Sequence, residues 1–194
     1  MSIGHFTFTH LMYLVQSIGW TLVLSAIAFA LGAIGGFGLM LARISPRPWL
    51  RWFALVYIEC IQGIPLLILL FIVYFGLSVY GLALPSLIAA GIAMMIYVSA
   101  YLGDIWRGCV EAMPKPQWEA SECLAFTRWQ TLRLVIIPQA VRLSLPPTVG
   151  FLVQIIKMTS LASVIGFVEL TRAGQIINNL SLIHISEPTR PERI

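Results

Sequence analysis

Apolar residues run along this chain in long blocks, and most charged residues fall in the gaps between them. A membrane-crossing helix needs about 20 mostly apolar residues. Three blocks meet or approach that length: Ile18 to Leu41, Trp52 to Val73 and Leu87 to Ile105. A fourth, Leu143 to Ile156, is short and has Pro146-Pro147 near its start, which predicts a bent entry or an earlier beginning. Gly63 and Pro65 interrupt the second block. Gly32, Gly35, Gly36 and Gly38 give the first a small-residue face on which another helix can pack closely, unless these glycines are merely tolerated in a membrane helix.

The gaps differ in charge, and that difference predicts a topology. Arg43, Arg47 and Arg51 follow the first block, interleaved with Pro46 and Pro48. Residues Gly76 to Ser86 carry no charge, whereas Arg107 to Arg142 holds Arg107, Lys115, Arg128, Arg133 and Arg142. Short basic loops stay in the cytoplasm, so the expected order is N-terminus outside, basic turn inside, neutral loop outside, basic loop inside. Lys157 to Asn179 then emerges outside, and its segment Leu161 to Val168 is apolar enough to dip back. Met1 to Tyr13 lacks the Lys or Arg of a cleaved signal peptide.

Composition agrees with this pattern. The chain is 59% hydrophobic and 10% charged, with a mean hydropathy of +0.89, against about a quarter charged in a globular domain. That excludes a soluble domain and predicts an all-α integral membrane protein. The net charge of +4 lies in short clusters that set topology, not in a nucleic-acid footprint. Cys60, Cys109 and Cys123 show neither paired nor metal-ligand spacing, so free thiols are expected. No phosphate-cradling Gly-rich loop with Lys is present, His5 and His10 are isolated, and no catalytic constellation or cofactor is implied.

The long basic loop has the grammar of two short helices. Pro114 and Pro116 open the first, Trp118 to Phe126, because proline is tolerated at a helix start. Thr127-Arg128-Trp129-Gln130 has the form of a capping box for the second, which runs toward Ile136 and should be stopped by Pro138. Glu119 and Glu122, three apart, share a face and can pair with basic groups of a partner. Trp118, Leu124, Phe126, Trp129 and Leu132 make either a knob that a cytoplasmic motor can grip, or aromatic anchors at the membrane interface. Physics alone leaves both readings open.

Several motifs, in order, resemble one family. Glu119-Ala120-Ser121 is similar to the Glu-Ala-Ala of the "EAA" loop in permease subunits of ABC importers, with Ala125 where the family has glycine. A glycine there permits a left-handed turn, a conformation that costs alanine roughly 1 kcal/mol. Arg128-Trp129-Gln130-Thr131-Leu132 and Ile137-Pro138-Gln139-Ala140 resemble the polar amino-acid uptake branch. So do Lys157-Met158-Thr159-Ser160-Leu161, where that branch usually has Lys-Asp-Thr-Ser-Leu, and Glu169-Leu170-Thr171-Arg172. Gln62-Gly63-Ile64-Pro65-Leu66-Leu67 resembles a segment usually reading Arg-Gly-Thr-Pro-Leu-Leu, and losing that Arg leaves Glu59 without an obvious neighbour. The resemblance covers Ser17 to Asn179.

What the resemblance implies is the permease half of a type I importer, a helical bundle of about five spans natively with four present here, in the bacterial inner membrane. It implies a second permease subunit, identical or related, an extracytoplasmic amino-acid-binding protein, and two ABC ATPase subunits that hydrolyse ATP on their own chains. The ATPase-docking residues would be Trp118, Glu119, Ala120, Ser121, Glu122, Ala125 and Phe126.

Ionisable groups at membrane depth are costly and point to function. Glu59 and Gln62 share one helical face, and Gln154 and Lys157 another; with Thr159 and Ser160 they are candidates for the translocation path. They could instead satisfy one another across a helix interface, with Lys157 snorkelling to the surface. Asp104 and Arg107 read as a structural ion pair near the cytoplasmic end of the third span. Two other function classes fit the hydropathy: an ATPase-independent channel or secondary carrier, which calls for inverted repeats that are not visible here, and a non-transporting membrane scaffold.

Residues Leu180 to Arg190 resemble the translation of a transposon-end sequencing adapter across eleven consecutive codons. The expected permease domain is therefore residues 1–179, with 180–194 a non-native tail and no role for His184, Glu187 or Arg190.

Overall fold

A computed structural model describes residues 8–186, with side chains described to 179; His5 and the end of the tail, 187–194, lie outside the described residues. Those described form an all-helical bundle without strands. α1 (Phe8–Arg43) begins ten residues before the expected span. Its buried hydroxyls do not prevent this, because they bond within the helix: Ser17 Oγ donates to the Tyr13 carbonyl at 2.8 Å, Thr21 Oγ1 to Ser17 at 3.1 Å and Ser25 Oγ to Thr21 at 2.8 Å.

The second apolar block is broken, not merely interrupted. α2 (Pro48–Gln62) ends at Gly63, whose N–H donates to the Glu59 carbonyl at 3.0 Å, and Pro65 with ψ 136° starts a new direction. α3 (Leu66–Phe71) then continues through a π-helical turn, Ile72–Gly76, into the short α4 (Leu77–Val79). The two arms lie 99° apart.

α5 (Ser86–Glu111) is the most enclosed span and runs six residues past its expected end. Apolar side chains gain little from leaving lipid for protein, so close backbone approach must hold such helices together. The residues at the α1–α5 contact are accordingly small. A Cβ on Gly36 would lie 3.0 Å from Leu102 Cβ, and one on Gly103 would lie 3.0 Å from Leu39 Cβ. Gly32 and Gly35 share that seam, whereas Gly38 faces open space.

After α6 (Lys115–Cys123) and α7 (Arg128–Gln130), a π-helical turn, Thr131–Ile136, leads into α8 (Ile137–Met158) and a 3-10 turn, Thr159–Ile165. The whole of Arg128–Ile165 is one span-length helix. This corrects three expectations. Pro138 does not stop the helix: it occupies the first turn after the π segment, where its missing N–H breaks no interior α-helical ladder. Pro146 and Pro147 lie inside α8 and not at a bent entry; membrane helices tolerate interior proline when neighbours resatisfy the freed backbone. The expected basic loop from Arg107 to Arg142 therefore shrinks to the residues between α5 and α7. Among the described residues three helices are long and apolar enough to cross a membrane, and the bent pair makes up to four.

Beyond Gly166, which adopts φ 84°, α9 (Leu170–Ser186) packs on α1. Within residues 161–168, Ala162, Ile165 and Phe167 are buried against the bundle.

Candidate functional site

α6 packs on the π-helical turn Thr131–Ile136 and is fastened there by two layers of contacts. Pro116 occupies its first turn. Trp118 packs against a small core of Met40, Val110, Leu132 and Ile136, which joins the ends of α1 and α5 to the π-helical turn. Gln139 Nε2 donates to Gln117 Oε1 at 3.2 Å. Ser121, only 2% exposed, donates its hydroxyl to the Gln117 carbonyl at 2.8 Å, so a serine fits where the motif has alanine. The opposite face, with Glu119, Ala120 and Glu122, is exposed.

The end of α6 is fixed by backbone geometry. Ala125 has φ +55°, alone in the left-handed region among the described non-glycine residues. Its N–H donates to the Glu122 carbonyl at 2.9 Å and the Phe126 N–H to the Ser121 carbonyl at 3.1 Å, the pair of bonds that defines a Schellman cap. The departure from glycine thus leaves the turn intact and strains it. Thr127 follows with both halves of the capping box: its N–H donates to Gln130 Oε1 at 2.8 Å and its Oγ1 accepts the Gln130 N–H at 3.4 Å. Arg128 Nη2 reaches the Ile44 carbonyl at 2.9 Å, tying the loop to the turn after α1.

The five apolar residues of the loop, expected to form either a knob or interfacial anchors, do not share one environment. Trp118 and Leu132 belong to the small core beneath the loop, Phe126 is half-buried, and Leu124 and Trp129 are 67% and 57% exposed. This apolar pair lies beside the exposed carboxylates of Glu119 and Glu122.

Asp104 and Arg107 do pair, with Nη2 to Oδ1 at 2.9 Å. Glu111, which the sequence reading passed over, takes Arg107 Nη1 from the next turn. Its signal was available, since residues four apart on a helix are neighbours. Also missed was Trp106 Nε1 donating to Thr148 Oγ1 at 2.9 Å, which ties α5 to α8; Glu169, named in the sequence only as part of a motif, is buried just before α9.

Glu59, Gln154 and Lys157 are exposed on the single chain and Gln62 is half-buried. Among the described residues none of these four side chains has a hydrogen bond or ion pair, so they do not satisfy one another across a helix interface. Thr159 and Ser160 bond back to their own helix, at the Ile156 and Lys157 carbonyls, 2.7 and 2.8 Å away. Among the described residues no group of three or more His, Cys, Asp or Glu could hold a metal ion.

Comparison with known proteins meets this geometry. Residues 34–186 match the model of the family described as binding-protein-dependent transport system inner membrane component. A probable amino-acid ABC transporter permease protein of Bacillus subtilis strain 168, YckA, is 38% identical over 85% of this chain and 73% of its own. The L-cystine transport system permease protein TcyB of the same organism is 39% identical over 87% of this chain and 72% of its own. Among solved structures, one described as an amino acid ABC transporter with histidines superposes with a TM-score of 0.85 at 33% identity, covering 90% of this chain and 81% of that one. The MetNI methionine ABC transporter in inward-facing form, at TM-score 0.68 and 17% identity over 91% of this chain and 93% of that one, shares the fold. The chain therefore belongs to the family of inner-membrane components of binding-protein-dependent transport systems, among the amino-acid ABC transporter permeases.

Proposed function

We propose that this chain forms, with a second identical or related permease subunit, the path by which a polar amino acid enters the cell. An extracytoplasmic binding protein delivers the amino acid, and two ABC ATPase subunits drive the cycle. The observation that carries the reading is α6: exposed Glu119 and Glu122, with exposed Leu124 and Trp129 close after them, on a helix ended by a Schellman cap and followed at once by the capping box that starts α7. A helix so held moves with the spans beneath it, so force applied at Glu119 reaches α8 through the π-helical turn. Glu119 seats in a cleft of the ATPase, and the basic end of the bundle, with Arg43, Arg51 and Arg128, faces the cytoplasm. The N-terminus then lies outside.

Glu59, Gln62, Gln154 and Lys157 face the path between the two permease subunits. Their lack of partners among the described residues supports this, because an unpaired polar or ionisable group at membrane depth needs water, substrate or a second subunit beside it.

The test is co-purification with the ATPase and uptake of labelled glutamine, cystine, histidine or arginine into proteoliposomes. Glu119→Lys is expected to reduce ATPase retention by about tenfold or more, and with it ATP-driven uptake. Full retention and full uptake in that variant would remove α6 from the docking role. Uptake unchanged in both Glu59→Gln and Lys157→Met would remove those residues from the path.

A further inference from the structure

Beside the root of α6 lies a cleft of about 620 Å³ lined by Arg43, Arg51 and Arg128, with Ser45, Glu111 and Trp118. Its one acidic residue, Glu111, is already paired with Arg107. Among the described residues none of the three arginines has an ion-pair partner. Arg128 donates one hydrogen bond, to the Ile44 carbonyl. Arg43 Nε is sealed from solvent with no hydrogen-bond partner, which is rare for a buried donor. A second cleft of about 520 Å³ shares Arg43 and Arg51 with the first and is otherwise lined by Pro48, Trp49, Trp52 and Leu55. Trp49 and Trp52 are 65% and 67% exposed, at the start of an apolar helix, where amphipathic rings sit at the headgroup level of a bilayer.

The two adjoining clefts therefore pair a surplus of guanidinium groups with an aromatic wall. From this juxtaposition we infer that they form one site for an anionic phospholipid. Its phosphate is held by Arg43, Arg51 and Arg128, and its glycerol and upper acyl carbons lie against Trp49, Trp52 and Leu55. Guanidinium forks suit phosphate oxygens geometrically, and basic pockets between transmembrane helices on the cytoplasmic side are a recurrent headgroup site. An acidic segment of a protein partner would meet the arginines but leave the tryptophan wall unused. The inference does not depend on which amino acid is carried.

The experiment is native mass spectrometry of the full chain, alone and in the assembled transporter, after exchange with vesicles of equal phosphatidylglycerol and phosphatidylcholine. Wild type is expected to retain phosphatidylglycerol preferentially. Arg43→Gln and Arg51→Gln are each expected to lower that preference about fivefold, the effect of one basic group near a charged leaflet. Arg47→Gln, an exposed arginine on the same turn that lines neither cleft, is expected to leave it unchanged. Equal thermal stability of wild type and Arg51→Gln in phosphatidylcholine shows that the variant is folded.

Equal losses in Arg47→Gln and Arg51→Gln would overturn the site in favour of diffuse surface charge. Displacement of the lipid by millimolar inorganic phosphate would make the ligand a free anion. A preference seen in the permease alone but abolished by the bound ATPase would assign the cleft to that protein instead.

Discussion

Gly32 and Val98 approach so closely that a Cβ built on Gly32 would lie 2.5 Å from Val98 Cγ1. No real side chain tolerates that separation, so glycine here is a packing requirement of the α1–α5 seam. Gly32→Ala is expected to destabilise the bundle by about 1–3 kcal/mol, the range for overpacked cores. Gly38→Ala, which meets nothing within 4 Å, should be neutral or slightly stabilising, because alanine favours the helix interior over glycine. Thermal unfolding in detergent compares them, and Gly32→Ala with Val98→Ala should recover part of the loss. Equal melting temperatures for the two alanine variants would disprove the seam.

Ala125 gives the opposite expectation, a substitution that stabilises. The left-handed conformation at φ +55° costs an alanine about 1–2 kcal/mol relative to glycine, partly offset by the greater unfolded-state freedom of glycine. Ala125→Gly should therefore firm the turn between α6 and α7. Amide exchange over residues 118–130 is expected to slow by a few fold. Faster exchange would mean that the strain is relieved elsewhere.

Much of this was legible in the sequence. The capping box at Thr127 and Gln130 and the small-residue face of α1 rest on local chemistry that tertiary context did not override. The left-handed turn at Ala125, by contrast, runs against alanine's own preference and was signalled only by the motif's glycine. The path of the chain through its prolines was not legible. Read alone, Pro138 ends a helix and Pro146-Pro147 bends one, yet all three lie within a single span, because a π-helical turn precedes the first and the bundle accommodates the others. The 99° break at Gly63 and Pro65 showed only as an interruption, since residue type marks a break but not its angle. For the site, α6 could be drawn from the motif, but its fastening through Gln117, Gln139 and Arg128 joins residues distant in the chain.

The bond from Trp106 Nε1 to Thr148 Oγ1 is a polar tie inside an apolar bundle. Thr148→Val preserves shape and removes the acceptor, leaving the indole N–H unsatisfied at a cost of about 1–3 kcal/mol. Thr148→Ser keeps the hydroxyl and should cost less. The expected order of melting temperature is wild type, then serine, then valine. A valine variant as stable as wild type would mean that lipid or water meets the indole.

Glu169 makes the last prediction because its burial, at 1% exposure, needs a reason. Its carboxylate accepts the N–H of Thr171 at 2.8 Å and of Arg172 at 2.9 Å, while the N–H of Leu170 donates to Thr21 Oγ1 at 3.2 Å. The three open amides that begin α9 are thus satisfied by side chains, one of them from α1. Glu169→Ala removes two acceptors and should raise exchange at Thr171 and Arg172 by about tenfold, equivalent to roughly 1–2 kcal/mol of lost capping. Thr21→Val should raise exchange at Leu170 alone and leave the other two amides protected. If Thr21→Val instead released all three amides together, α9 would be held by its packing on α1, and the side-chain cap would be incidental.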